Sequence, residues 1–299
     1  MRAFLAFLRQ VAASVRMLLI FTVITGVAYP LVVTAIAQLP GLKSRADGST
    51  ISRDGRVVGS ELIGQSFTDA SGRPLVRYFQ SRPSAAGDGY DPTASGASNL
   101  GPESIVDTLP DPSVKDDTGT RSLLTRVCAR SLAVGELEGV SGARPFCTSD
   151  GVGAVLAVFY AGPGYRGEVT RVVSLNQTVP STPFIATYHG VTVELAEFGR
   201  DYSAARIVAV RGDAPAHPAV PADAVTSSGS GLDPEISPVY ARLQEARVAR
   251  ARGITVDRVK ALVARYRKGR DLGFLGEARV NVLQLNLALD RAYKFTKTD

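Results

Sequence analysis

Hydrophobic residues are arranged by one rule in the first forty positions and by another in the rest of the chain. From Met17 to Leu39 run 23 residues without a charge, MLLIFTVITGVAYPLVVTAIAQL. A helix of that length reaches roughly 34 Å, enough to cross a hydrocarbon core of about 30 Å with some tilt. Pro30 removes one helical hydrogen bond, and Thr25 and Gly26 before it leave room for a kink or a close neighbouring helix. Ala35-Ile36-Ala37 has the form of an A-x-A cleavage site. The apolar run is longer than the about 7–15 residues of a secretory signal, so the segment reads as an uncleaved anchor.

Beyond residue 40 the periods are those of short strands and amphipathic helices. Thr50–Arg53 and Arg56–Val58 flank Asp54-Gly55, the strongest two-residue hairpin signal. Residues 82–102, rich in Gly, Ser, Pro and Asn, read as ordered loop. Residues 121–133, RSLLTRVCARSLA, read as helix. Five β-like runs follow between 152 and 210: VGAVLAVFY, EVTRVVSL, FIATYH, VTVELAEF and ARIVAV. GDAPAHPAVP, residues 212–221, reads as a Pro/Ala spacer. Ser237-Pro238 is an N-cap followed by Pro at the first helical position. It opens a helix that Gly253 ends, and Thr255 caps the next one.

Charge adds direction to this plan. Of the net +6, residues 1–46 supply five basic groups (Arg2, Arg9, Arg16, Lys43, Arg45) and no acid. The remainder is nearly neutral, so no nucleic-acid binder is implied. The basic residues before the span favour a cytoplasmic N-terminus, which places the bulk of the chain outside the cytoplasm. That compartment permits Cys128 and Cys147 to pair, and a disulfide between them is expected over the alternative of two buried free thiols. Two cysteines and two histidines, His189 and His217, leave little material for metal chemistry.

Two separated blocks carry a family resemblance. The first joins TGVAYPLVVTAIAQ to DGRVVGSELIGQSF, YFQSRPSA and SGASNLGP; the second joins VPADAVTSSGSGLDPEISP to RVARARG and LGEARVNVLQLNLALD. Together they resemble the C chain of the Kdp-type potassium-transporting P-type ATPase, over about residues 15–104 and 220–292. The resemblance implies a non-catalytic, single-span accessory subunit with no intrinsic cofactor. Its implied partners are a potassium-channel-like A chain, a catalytic B chain whose ATP binding it promotes, a small single-span F chain and the lipid bilayer. Glu235 stands where histidine is usual, and Gln80-Ser81 where an aromatic and a glycine are common. About 115 residues between the blocks replace a much shorter connector.

The expected architecture is therefore α+β. A cytoplasmic stub (1–16) and a transmembrane helix (17–39) precede an extracytoplasmic domain (40–104 and 220–299) that carries a β-rich insertion (105–219). The insertion reads as a separable accessory module, because surface loops tolerate length.

Candidate chemistry is sparse. Ser228, Gly229, Ser230, Gly231 and Asp233 form the loop where the family motif places a possible nucleotide contact. No lysine follows in P-loop register, so a tight turn that docks on the helices after Ser237 and on a partner subunit is the reading favoured. Asp116-Asp117-Thr118-Gly119-Thr120 imitates a pump phosphorylation motif but has a second carboxylate where cationic help is needed, and reads as a solvated turn. His189 and His217 lie in turn and spacer sequence, and no G-x-S-x-G occurs. An anchored extracytoplasmic hydrolase or binding module is accordingly the lesser alternative. Ten Arg and Lys residues between 242 and 270 read as a solvated basic face, with a surface for anionic lipid or an acidic partner as the sharper alternative.

Overall fold

A computed structural model describes residues 1–294 and divides into two units, Met1–Leu62 and Ile63 onward. In the first unit, α1 (Arg2–Val23) and α2 (Tyr29–Ala37) are joined by a single π turn, Ile24–Ala28, into one 36-residue helix. The π turn sits just before Pro30, which has no N–H to donate and whose ring would crowd the preceding turn. The wider turn accommodates both defects. Thr25 Oγ1 donates to the Phe21 carbonyl at 2.6 Å, occupying an acceptor near the interruption. This is the one helix among the described residues long and apolar enough to cross a membrane.

The helix begins at Arg2, so the stub expected over residues 1–16 is helical and continuous with the span. At 1.5 Å per residue the whole element extends roughly 54 Å, well beyond a bilayer core. Arg2, Arg9 and Arg16 recur at a spacing that keeps them on one helical stripe. A short helix, α3 (Lys43–Ala46), leads into the hairpin β1 (Thr50–Arg53) and β2 (Arg56–Ser60). Asp54 and Gly55 both have positive φ (51° and 75°), the type I′ geometry that matches strand twist and that aspartate and glycine tolerate.

In the second unit, α4 (Leu123–Glu138) is capped by Ser122, whose side chain accepts from the Thr125 N–H, and ends at Gly139 with φ 69°. The strands β3 (Val155–Gly162), β4 (Arg166–Ser174), β5 (Thr187–Tyr188), β6 (Val191–Leu195) and β7 (Arg206–Ala209) form one sheet in the order β5-β6-β4-β3-β7. All neighbours are antiparallel except β4 and β6. Alternation sorts its side chains. Val155, Ala157, Val173 and Leu175 pack on one face with Leu124 of α4, while Leu156, Val158, Val172 and Val193 pack on the other.

The main core lies under α5 (Pro238–Arg252), α6 (Val256–Tyr266) and α7 (Val282–Ala292). A small sheet, β8 (Glu235–Ile236), β10 (Arg279–Asn281) and β9 (Arg267–Lys268), closes its edge. Ser237 caps α5 by accepting from the Tyr240 N–H, and Gly253 ends it with φ 64°. Thr255 occupies the N-cap position of α6 without a side-chain capping bond.

Part of the insertion, expected as a separable module, is built into the main core. Val127 and Val134 of α4, with Val140, pack against the main core, and α4 lies against α5. The Pro/Ala spacer is not purely a spacer either, since Val220 at its end is fully buried in that core. The sequence misleads on this point because α4 looks like an insertion element in isolation. Its apolar face is completed by residues more than a hundred positions away.

Candidate functional site

The two blocks that carry the family resemblance meet at the Gly/Ser loop. Gly64 N–H donates to the Leu232 carbonyl (2.8 Å), Gly96 N–H to the Ser230 carbonyl (2.9 Å) and Ser84 Oγ to the Gly231 carbonyl (2.6 Å). Ser84 in turn accepts from the N–H groups of Ala86 and Tyr90. Gly231 has φ 70°, and a Cβ there would meet the Cβ and N of Ala86 and the Gly96 carbonyl, each at 2.9 Å. Only glycine satisfies both the backbone and the space.

Each residue of the candidate loop has a definite place. Ser228 is buried, and its Oγ accepts from the Gly231 N–H at 3.0 Å. Ser230 Oγ accepts from the Leu232 N–H and contacts Asp233 Oδ1 at 3.5 Å. Asp233 pairs with Arg82 at 3.1 Å, and Arg82 also donates to the carbonyls of Thr226 and Ser227. Gly229 has open space around its Cα. The loop's side chains and several of its carbonyls are thus spent on holding its own shape and its neighbour's.

Two clefts flank this junction. The first, about 380 Å³, is lined by Phe67, Gln80, Arg82, Tyr90, Arg130 and Tyr240 among others. Burial pushes the Tyr90 hydroxyl up to about 12, and it donates to the Arg82 carbonyl at 2.7 Å. Burial raises Tyr240 as well. Both phenols are therefore neutral donors near pH 7, unsuited to act as bases. The second cleft, about 470 Å³, lies between α4 and residues 226–229, with Arg126 and Arg130 on its wall. Sequence reasoning missed this pair; the signal was two arginines at i, i+4 in the first half of a helix whose only acids, Glu136 and Glu138, lie in its last turn.

The supposed basic face is partly interior. Arg247 is buried against Glu138 of α4 (2.9 Å), and it donates to the carbonyls of Val76 and Tyr78 and to Gln244. Burial raises the Glu138 pKa, and the Arg247 charge opposes that shift. Arg252 pairs with Asp290 at 2.9 Å and lies over the Tyr78 ring. These two arginines are struts between segments, and the solvated-face reading does not apply to them. Arg242, Arg250, Arg258, Lys260, Arg265, Arg267, Lys268 and Arg270 are exposed.

The two departures from the family pattern are absorbed locally. Gln80 is buried, with Nε2 donating to the carbonyls of Phe67 and Leu75, and its N–H donates to Gln244. Glu235 accepts from Arg279 at 3.1 Å.

The remaining candidates are structural in their surroundings. Asp117 accepts from the N–H groups of Asp111 (2.6 Å) and Gly119 (3.0 Å), which hold its carboxyl below the usual range. Asp116 has φ 62° in the same turn. His189 and Gly190 (φ 49° and 79°) form the hairpin turn between β5 and β6, and His217 lies in irregular backbone. Cys128 and Cys147 are joined by a disulfide that ties α4 to the segment entering β3. Among the described residues no group of three His, Cys, Asp or Glu side chains is placed to hold a metal.

The profile of the KdpC family, described as "K+-transporting ATPase, c chain", matches residues 11–108 and 199–291. The chain is 39% identical over 285 residues to a potassium-transporting ATPase KdpC subunit of Kineococcus radiotolerans, covering 95% of each. It is 37% identical over 283 residues to the KdpC subunit of Mycobacterium tuberculosis, covering 95% of this chain and 98% of that one. It is 35% identical over 286 residues to the KdpC subunit of Rhodospirillum rubrum, covering 96% and 97%. These alignments run through the insertion, so a long central segment is shared with such relatives.

Proposed function

The chain belongs to the KdpC family, the c chains of potassium-transporting ATPases, and from that premise we propose that it is a non-catalytic subunit that assembles such a pump and promotes ATP binding by the catalytic chain. Potassium transport by a multi-subunit membrane ATPase is the process it serves. The single helix (Arg2–Ala37), free of charge from Met17 onward and with no buried residue, supplies the membrane contact and the surface for partner helices. The partners in this reading are the potassium-channel-like A chain, the catalytic B chain that binds ATP, and a small single-span F chain. The N-terminus is cytoplasmic and the domain from residue 40 onward is extracytoplasmic, following the basic residues at 2, 9 and 16.

The observation that carries the proposal is the junction at Gly231. The two family-matching blocks are locked onto each other by backbone hydrogen bonds and by a glycine that no other residue can replace. The polar groups there build a rigid shape, and a rigid shape is what a docking subunit needs. ATP stays on the partner catalytic chain. Help to that chain then reaches it through helix packing and the conformation of the assembly, a coupling between distinct sites.

The test is expression of the other pump chains with and without this one. The proposal expects co-purification of the complete chain with multi-span partners, and reduced potassium uptake, most marked at low ATP, when it is omitted. A stable monomer in detergent with uptake unaffected by its absence would exclude the role.

A further inference from the structure

The cleft between α4 and the Gly/Ser loop has the composition of an anion site. Its lining includes Arg126, Arg130, Ser84, Ser98, Thr226 and the Ser227–Gly229 loop, and none of its lining residues is an aspartate or glutamate. Arg126 and Arg130 stand one helical turn apart, and among the described residues neither meets a carboxylate within ion-pair reach. By contrast Arg82, Arg247, Arg252 and Arg279 in the same unit each face one.

Each cleft arginine donates one hydrogen bond to the backbone. Arg126 Nε donates to the Arg121 carbonyl (3.2 Å), and Arg130 Nη1 donates to the Val225 carbonyl (3.0 Å). A guanidinium has five N–H donors, so most of this capacity is left for a ligand. Burial, and then the charge of Arg126, make the protonated form of Arg130 harder to hold. An anion between them would relieve that repulsion. Across the cleft, the N–H groups of Ser227, Ser228 and Gly229 have no acceptor among the described residues. Unpaired N–H groups opposite paired arginines suit a tetrahedral oxyanion, which accepts from several directions at once.

We propose that this cleft binds an oxyanion of the phosphate class, held by Arg126 and Arg130 on one side and by the Ser227–Gly229 loop on the other. The arginines lie between the two segments that the family profile matches, and the loop lies inside the second of them. The site is therefore composite, and it belongs to chains that carry the long central segment. Occupancy would fasten α4 to the Gly/Ser loop and stiffen the junction that the proposed docking role depends on. The anion can come as free phosphate or as the headgroup of an anionic phospholipid, and the chemistry of recognition is the same.

The experiment uses the full chain in neutral detergent. Inorganic phosphate is titrated calorimetrically against a chloride control, with glycerol 3-phosphate and a short-chain phosphatidic acid as parallel arms. Saturable binding is expected with a dissociation constant at or below about 1 mM. The double variant R126Q/R130Q should weaken it at least tenfold, and R171Q, at an exposed pair with Glu194, should leave it unchanged. A second variant guards against loss of folding. S98D keeps both arginines and the acceptor for the Leu100 N–H, places a carboxylate in the cleft, and should abolish phosphate binding while raising the melting temperature. At least tenfold tighter binding of the phosphatidic acid, lost in both variants, assigns the source to lipid; equal affinities assign it to free phosphate. Heats no different from chloride, or binding that survives in both variants, would overturn the proposal.

Discussion

Replacing Glu138 by glutamine removes the counter-charge of Arg247 without changing the shape of the side chain. Both groups are nearly inaccessible, with side-chain exposures of 0% for Glu138 and 7% for Arg247. The arginine cannot swing out to solvent, because Nη1 is held by the carbonyls of Val76 and Tyr78 and Nη2 by Gln244. Gln244 also binds both the N–H and the carbonyl of Gln80, so the cation is fixed within a network. Breaking one side of a buried pair costs about 3–5 kcal/mol, mostly because an uncompensated charge is left behind. For a unit of this size that is a fall in Tm of roughly 10 °C. The assay is thermal unfolding of the full chain in detergent, followed by far-UV circular dichroism. The double variant E138Q/R247M should recover part of the loss, since it removes both charges together. The exposed pair Arg171–Glu194 serves as reference, with an expected effect below about 1 kcal/mol. If E138Q shifts Tm no more than E194Q does, α4 is not fastened to the main core through this pair, and the case against a separable insertion loses its strongest support.

Gly231→Ala should strain a left-handed residue by about 1–2 kcal/mol and force Ala86 and Gly96 apart, so limited proteolysis should cut near residues 84–96 in the variant and spare the parent. Removing the Cys128–Cys147 bridge with paired serines, across a separation of 19 residues, should lower stability by about 3 kcal/mol in denaturant titration; an unchanged midpoint would refute this. Tyr90 has its pKa raised by burial from 10.0 to about 12, so its contribution is complete below pH 10 and is lost as pH rises through 12. Y90F should therefore flatten the alkaline fall in stability by about 2–3 kcal/mol, at the cost of the hydrogen bond to the Arg82 carbonyl near neutrality; an unaltered alkaline slope would count against it.

Features governed by neighbours in sequence are legible in the chain itself. Asp54-Gly55 fixes its hairpin because both residues accept positive φ, and Ser237-Pro238 with Gly253 delimits α5 because capping is a matter of three or four adjacent residues. The β runs between 152 and 210 are visible because alternation is a local period. What the sequence hides depends on distant partners. Arg247 looks like one more surface cation until Glu138, 109 residues earlier, is found beside it. The start of the long helix at Arg2 is hidden because a charge-free window marks bilayer-compatible sequence and not helix length. The Gly/Ser loop stands out in the sequence as a place of interest. Its closeness to Ala86 and Gly96, and to the two arginines of α4, is a fact of topology that no spacing encodes.

The central claim is that this chain raises the ATP affinity of a partner catalytic chain without binding the nucleotide itself. Its most direct test is the ATP-concentration dependence of potassium-stimulated hydrolysis, measured on the reconstituted pump with this chain present and with it omitted. The account predicts that omission raises the apparent KM for ATP while saturating ATP restores much of the rate. Identical KM values in the two preparations would contradict it.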